Sequence, residues 1–136
     1  MSEDSDKRVV IIGAGHGGGN LAASLRQAGH VGEIVLIGDE AIVPYHRPPL
    51  SKGYLKGSVD VDTLKLRPES WYESNNITLR LGVSAEAIDP AAREVRLADG
   101  AMLTYDRLVL ATGARARRLA VPGADLRGVL YLRDIT

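Results

Sequence analysis

The chain has 136 residues, enough for one domain or part of one. Its 17 basic and 17 acidic residues cancel, which leaves no electrostatic footprint for nucleic acid, and no apolar run approaches the about 18 residues of a membrane-spanning helix. With no cysteine, the chain has no disulfide, no thiolate metal site and no redox-active dithiol of its own. The three histidines, His16, His30 and His46, show no metal-ligand spacing, so no metal site is expected. Phenylalanine is absent and the core must be aliphatic.

The opening M-S-E-D-S-D is acidic and polar, the opposite of a signal peptide, and residues 1–6 are expected to be disordered in a cytoplasmic protein. Residues 7–38 read as a β-α-β unit. Val9, Val10, Ile11 and Ile12 form an unbroken β-branched run, as in a strand buried on both faces. Gly13, Gly15 and Gly18 follow at G-x-G-x-x-G spacing, and a helix starts near His16. In that motif the first glycine permits a tight turn, the second lets a pyrophosphate approach the backbone, and the third lets helix and strand pack closely. The helix start aims unpaired N–H groups and a positive dipole end at the phosphates. Leu21, Ala22, Leu25 and Ala28 give the helix an apolar stripe, and Gly29 is placed to end it. Ile34, Val35, Leu36 and Ile37 form a second buried strand. Asp39 comes 21 positions after Gly18, where a dinucleotide-binding unit has the carboxylate that accepts from ribose hydroxyls. A flexible glycine-rich turn with a surface Asp is the other reading.

Prolines 44, 48 and 49 make residues 39–49 a loop. Residues 50–55 read as a short helix, 57–62 as polar and mobile, and 68–75 as another short helix whose Trp71 and Tyr72 cover the core edge. From Ile77 the apolar period changes to that of strands. Residues 77–81, 83–88, 94–97 and 101–104 are strand candidates, with Asp99-Gly100 as a hairpin signal, and together they suggest a small antiparallel meander with a polar outer face. Residues 108–111 read as a third buried strand ending at Thr112-Gly113, and 129–132 as a final short strand. There is no internal repeat.

Five stretches, V-V-I-I-G-A-G-H-G-G-G, I-V-L-I-G-D-E, Y-H-R-P-P-L-S-K-G-Y-L, Y-D-R-L-V-L-A-T-G-A-R and V-P-G-A-D-L-R-G-V-L-Y-L-R-D, cover nearly the whole chain. In order and spacing they resemble the FAD-dependent ferredoxin reductases, which include the putidaredoxin, rubredoxin and biphenyl-dioxygenase reductases. More distantly they resemble the pyridine nucleotide-disulfide oxidoreductases. R-P-P-L-S-K is the most specific segment, because generic nucleotide-binding folds lack it. The resemblance implies a Rossmann-like, three-layer α/β FAD-binding fold with a parallel sheet, helices and an antiparallel meander. It also implies an electron-transfer flavoenzyme in which NADH or NADPH reduces FAD, and FAD passes electrons to a small ferredoxin- or rubredoxin-like iron–sulfur protein.

The same resemblance implies the site residues. Gly13, Gly15, Gly17 and Gly18, with His16 among them, fall on the pyrophosphate loop, and family members often have Ala where Gly17 stands. Asp39 falls on the acid that holds the adenosine ribose. Arg47 and Lys52 fall on basic positions along the flavin, with the Lys52 ammonium near the redox-active edge, where a cation would stabilise anionic reduced flavin. Ala85 falls where the backbone meets adenine, Thr112 and Gly113 on the A-T-G turn past the cofactor, and Arg133 on a late arginine that contacts FAD. Arg47 and Lys52 also read as ordinary solvated cations. Arg115, Arg117 and Arg118 read either as an exposed basic loop or as an attractor for an acidic redox partner.

The disulfide-reductase relatives carry a C-x-x-x-x-C pair where this chain has Pro48-Pro49-Leu50-Ser51-Lys52. Without a thiol relay, a one-electron protein acceptor is favoured over a disulfide substrate. The chain has one glycine loop, whereas the family carries a second in its NADH-binding domain. Residues 7–113 therefore resemble the first segment of an FAD-binding domain and 114–136 a linker toward an NADH-binding domain. The expected chain is an incomplete sheet that self-associates through its exposed edge and lacks NADH-driven activity alone. A stand-alone dinucleotide-binding module without redox chemistry is the alternative.

Overall fold

The structure, a computed structural model, describes residues 4–136. In chain order the elements are β1 (Val9–Ile12), α1 (His16–Gln27), β2 (Ile34–Gly38), a 3₁₀ turn (Pro48–Ser51), α2 (Val61–Leu64), α3 (Glu69–Ser74), β3 (Ile77–Leu81), β4 (Ala85–Asp89), β5 (Glu94–Leu97), β6 (Met102–Thr104) and β7 (Arg107–Leu110). A four-stranded parallel sheet has the order β3-β2-β1-β7, and a three-stranded antiparallel sheet has the order β4-β5-β6.

The unbroken apolar runs are explained by two cores, one on each face of the parallel sheet. Val9, Ile11, Ile34 and Leu36 face α1 and α3, packing with Ala22 and Tyr72. Val10, Ile12, Val35 and Ile37 face the meander, packing with Val95 and Leu97. Alternate residues thus enter different cores, and every residue of β1 and β2 is buried. The result is a three-layer sandwich of helices, parallel sheet and meander. At the sheet edge, β3 turns Ile77, Leu79 and Leu81 to the helix side. On β3, Arg80 pairs at 2.7 Å with Asp99 of the β5–β6 turn, which accounts for the alternation there.

Several expectations from sequence are corrected. The strand at 77–81 belongs to the parallel sheet, and only β4, β5 and β6 form the meander. β7 is an edge strand, not a buried one: Leu108 and Val109 are half-buried, and Leu110 is 62% exposed. Residues 129–132 form no strand, because no neighbour offers them a ladder, and Leu130 is 88% exposed. Of the expected 50–55 helix only Leu50 and Ser51 are helical, as the end of a single 3₁₀ turn, Pro48–Ser51. The polar stretch 57–62 runs into α2, where the Asp60 carboxylate accepts from the Thr63 N–H at 2.8 Å as an N-cap.

Of the segment expected to be disordered, positions 1–3 lie outside the described residues. Residues 4–6 form a turn whose Ser5 carbonyl accepts from the Val31 and Gly32 N–H groups. Asp4 pairs with Arg107 at 2.7 Å. Among the described residues no helix is long and apolar enough to cross a membrane.

Candidate dinucleotide site

The strands of the parallel sheet all end on one side, and the glycine turn sits there. The chain winds from β1 to β2 on one flank and later inserts β7 on the other. The carboxyl end of β1 is therefore a topological switch point, where open α/β sheets leave a crevice for ligands. Gly13 leaves β1 with φ +117°, a conformation that L side chains rarely adopt. A β-carbon there would overlap the Ala111 carbonyl, so Gly13 is what lets the turn lie against the end of β7 and the Thr112-Gly113 turn. A β-carbon on Gly18 would overlap the Gly13 carbonyl, which fixes the close passage of helix over strand. At Gly15 and Gly17 a β-carbon would meet nothing within 4 Å. Gly15 is the N-cap of α1 and supplies no capping side chain, and no acidic residue occupies the first turn. The open backbone and the uncapped helix start face the same space.

Asp39, exposed, directly follows β2. Its neighbour Gly38 lies so close to the glycine turn that a β-carbon would come within 2.5 Å of the Ala14 Cβ. Beyond β3 the chain returns to this end, where Gly82 N–H donates to the Glu40 carbonyl at 3.1 Å and Val83 N–H to the Gly38 carbonyl at 3.1 Å. Two residues later Ala85 opens β4, half-buried against the meander-side core. Gly13, Gly15, His16, Gly17, Gly18, Asp39, Thr112 and Gly113 thus lie just beyond the carboxyl ends of β1, β2 and β7, and Ala85 begins the strand that leaves from the same end. The exposed His16 and His46 rings meet at 5.5 Å between centroids, tying the start of α1 to the proline-rich loop. Gly19 reinforces that tie, since a β-carbon on it would come within 2.6 Å of the Pro44 Cβ.

Arg47 arrives by a different route. Its Nη2 donates to Glu40 Oε1 at 2.7 Å. Its Nη1 lies 2.9 Å from the Tyr45 hydroxyl, 2.7 Å from Asp134 Oδ1 and 3.0 Å from the Arg133 carbonyl. The Tyr45 hydroxyl donates to Glu40 Oε2 at 2.6 Å and accepts from the Ile135 N–H at 3.1 Å. Burial alone would raise the Glu40 carboxyl. The hydrogen bonds from Tyr45 and Arg47 and the Arg47 charge outweigh burial and hold the carboxyl below its ordinary value. Burial, then the bond to Glu40, pushes the Tyr45 phenol well above its usual range.

Arg133 comes to the site with its half-buried side chain, whose Nη2 lies 3.4 Å from where a Gly113 β-carbon would stand. Lys52 is not drawn into this cluster. It is exposed, and its ammonium sits 3.4 Å from the carbonyl of Pro48 in its own turn. Arg115, Arg117 and Arg118 lie on an exposed irregular segment, and Arg118 stacks over Tyr131 at 5.1 Å.

Sequence reasoning missed Glu40, Tyr45, Asp134 and Gly19. An acid, a tyrosine and an arginine within one proline-bearing loop were the available signal, but no periodicity says which way a loop side chain turns. Among the described residues no group of three or more His, Asp or Glu is placed to hold a metal ion.

Comparison with known proteins identifies the family and the fold. Residues 7–136 match the pyridine nucleotide-disulphide oxidoreductase family model. The chain is 48% identical over 132 residues to a probable ferredoxin reductase of Castellaniella defragrans, covering 97% of this chain and 32% of that protein. It is 51% identical over 125 residues to rhodocoxin reductase of Rhodococcus erythropolis, covering 92% of this chain and 29% of that one. A crystal structure of a ferredoxin reductase from Rhodopseudomonas palustris superposes with a TM-score of 0.87 at 50% identity, over 93% of this chain and 31% of that one. The putidaredoxin reductase in a covalent complex with putidaredoxin gives a TM-score of 0.81 at 45% identity, over 86% of this chain and 28% of that one. The chain thus spans about a third of the length of these relatives. In sequence and in fold it belongs to the pyridine nucleotide-disulphide oxidoreductase family.

Proposed function

We propose that this chain provides the adenosine and pyrophosphate part of an FAD site in an NAD(P)H-dependent ferredoxin or rubredoxin reductase-type oxidoreductase. The observation that carries the reading is the open backbone above Gly15 and Gly17 at the uncapped start of α1, with Asp39 at the end of the adjacent strand. The space that a β-carbon would fill at Gly13 and Gly18 is taken by backbone, and at Gly15 and Gly17 it is open.

In this reading the N–H groups at the start of α1 hold the two phosphates, with His16 at the rim. Asp39 accepts from the ribose hydroxyls, and the backbone at Ala85 borders the adenine. Thr112 and Gly113 form the turn beside which the rest of the cofactor passes, with positive charge from Arg47 and Arg133 on that side. Lys52 is proposed to stand near the redox-active edge of the ring, and its exposure leaves it free to do so. Bound FAD would supply the electron-carrying chemistry that no side chain of this cysteine-free chain can.

The relatives named as ferredoxin reductases suggest NADH or NADPH as the electron source and a small iron–sulfur protein as the acceptor, in a cytoplasmic setting. Residues 7–113 would then be the first segment of the FAD-binding domain, and 114–136 a link toward a nicotinamide-binding domain. With one glycine loop, this chain alone is expected not to oxidise NADH. A second reading, a dinucleotide-binding module without redox chemistry, is favoured by one observation: the Arg47 guanidinium is already engaged by Glu40, Tyr45 and Asp134. Incubation with FAD followed by desalting separates the two. Retained yellow colour with flavin absorbance supports the FAD site, whereas a colourless protein that binds ADP or NAD supports the module. Steady NADH-driven reduction of an artificial acceptor by this chain alone would contradict the expected inactivity.

A further inference from the structure

The last residues return to the site across a long irregular path. Between β7 and residue 133 the chain has no helix and no strand, and Leu119, Leu126 and Leu130 are 61%, 66% and 88% exposed. Little apolar burial therefore holds this path in place. Residues 133–135 are nonetheless seated by four polar contacts to one loop. Arg47 Nη1 reaches the Arg133 carbonyl at 3.0 Å and Asp134 Oδ1 at 2.7 Å. The Ile135 N–H reaches the Tyr45 hydroxyl at 3.1 Å and Glu40 Oε2 at 3.4 Å. Ile135 also packs on the small cluster of Tyr45, Leu50 and Leu64.

Tyr45 is the hub of these contacts. Its hydroxyl donates to Glu40 and accepts from Arg47 and from Ile135, which uses its one proton and both lone pairs. Its ring is 2% exposed, so the hydroxyl is held by packing on one side and by ions on the other. The loop that carries it is itself anchored. His46 N–H donates to the Leu64 carbonyl at 2.8 Å, and Leu66 N–H to the Pro44 carbonyl at 2.9 Å. Glu40 has both carboxylate oxygens occupied, one by Arg47 and one by Tyr45.

What this seating delivers is Arg133. None of the ion pairs among the described residues involves its guanidinium, which ends beside Gly113. Gly113 follows Thr112 and Ala111, the pair that Gly13 packs against. A guanidinium beside the turn against which the glycine loop packs is suited to an oxyanion of a ligand held by that loop.

We propose that Glu40, Tyr45 and Arg47 are positioning residues that clasp residues 133–135 and thereby hold the Arg133 guanidinium at the Gly113 turn, where it contacts the phosphates of a bound dinucleotide. The clasp stands on the contacts above, while the phosphate contact rests on the FAD-site reading. Because Arg133 lies 86 residues from Arg47 in sequence, its place at the site depends on this loop and not on the strand it follows.

The test uses the 136-residue chain with Tyr45→Phe, which keeps the ring and removes only the hub. Hydrogen exchange of the C-terminal peptide, without cofactor, is expected to speed up about tenfold in Tyr45→Phe while β1 and β2 stay protected. FAD affinity, read by quenching of flavin fluorescence, is expected to fall about tenfold in Arg133→Ala, and by less than about twofold when Arg133→Ala is added to Tyr45→Phe. Arg133→Lys should restore part of the loss. Unchanged exchange in Tyr45→Phe would overturn the clasp. Faster exchange with an equal Arg133→Ala effect in both backgrounds would overturn the delivery of Arg133. Faster exchange in a chain that takes up no FAD would uphold the clasp and reject the cofactor reading together with the phosphate contact.

Discussion

The Gly13 carbonyl oxygen occupies the space that a β-carbon on Gly18 would need, so helix α1 and the turn after β1 touch backbone to backbone. Gly15, between them, touches nothing within 4 Å of the corresponding point. Two glycines of one motif therefore have separable jobs. Gly18→Ala is expected to destabilise the fold by about 3 kcal/mol, the upper end of the usual overpacking cost, because the clash is with backbone and no flexible side chain can give way. Gly15→Ala, which exchanges only an N-cap glycine for alanine, is expected to lower the urea midpoint far less and to weaken FAD binding. Equal urea midpoints for the two variants would contradict this division.

Glu40 gives the fold a dependence on acid. Its carboxyl is held below the ordinary value in the folded state, so the unfolded chain takes up that proton first as pH falls. The contribution is present above the unfolded value of about 4.3 and is lost as pH falls through the lower folded value. Glu40→Gln should therefore be less stable than the parent by about 1–2 kcal/mol at pH 7. The gap should narrow steadily below about pH 4. A constant gap in urea melts down to pH 3 would show that Glu40 is not the group responsible.

Arg26 is the main polar staple between α1 and the segments around it. Its guanidinium donates to the carbonyls of Asn75 at 2.8 Å, His30 at 2.7 Å, Gly32 at 2.8 Å and Asn76 at 2.8 Å. Arg26→Met keeps the aliphatic stem and removes all four bonds. The expected loss is about 2–4 kcal/mol in a urea melt. A loss under about 0.5 kcal/mol would mean that water replaces those bonds at little cost.

The free edge of β7 predicts association. Leu110 is 62% exposed on a strand that pairs only with β1 among the described residues. Sedimentation should show a concentration-dependent shift that Leu110→Lys reduces, since a charge on an edge strand opposes edge-to-edge pairing. A parent chain that stays monomeric across the concentration range would remove this prediction.

Much of the architecture was legible because both faces of β1 and β2 are covered. A strand whose alternate residues enter two different cores has to be apolar throughout, and that is how Val9 to Ile12 and Ile34 to Ile37 read. Residues 129–132 have the same apolar look but no neighbouring strand, so composition alone misled. At 57–62 the sequence did carry a signal, Asp60 three residues before Thr63, but the polar character of the stretch hid a capped helix start. The glycine turn after β1 and the place of Asp39 just after β2 were legible because backbone geometry fixes their spacing. Glu40 and Tyr45 were not, because their meeting with Arg47 and with residues 133–135 depends on how a proline-rich loop packs in three dimensions.

The central claim is that the turn after β1 and the carboxylate after β2 grip one dinucleotide. Titration of FAD into the parent chain and into Asp39→Ala, read by quenching of flavin fluorescence, tests it most directly. Losing a charge-assisted hydrogen bond of about 1.5–3 kcal/mol should raise the dissociation constant roughly ten- to a hundred-fold. An Asp39→Ala chain that binds FAD as tightly as its parent would contradict the claim.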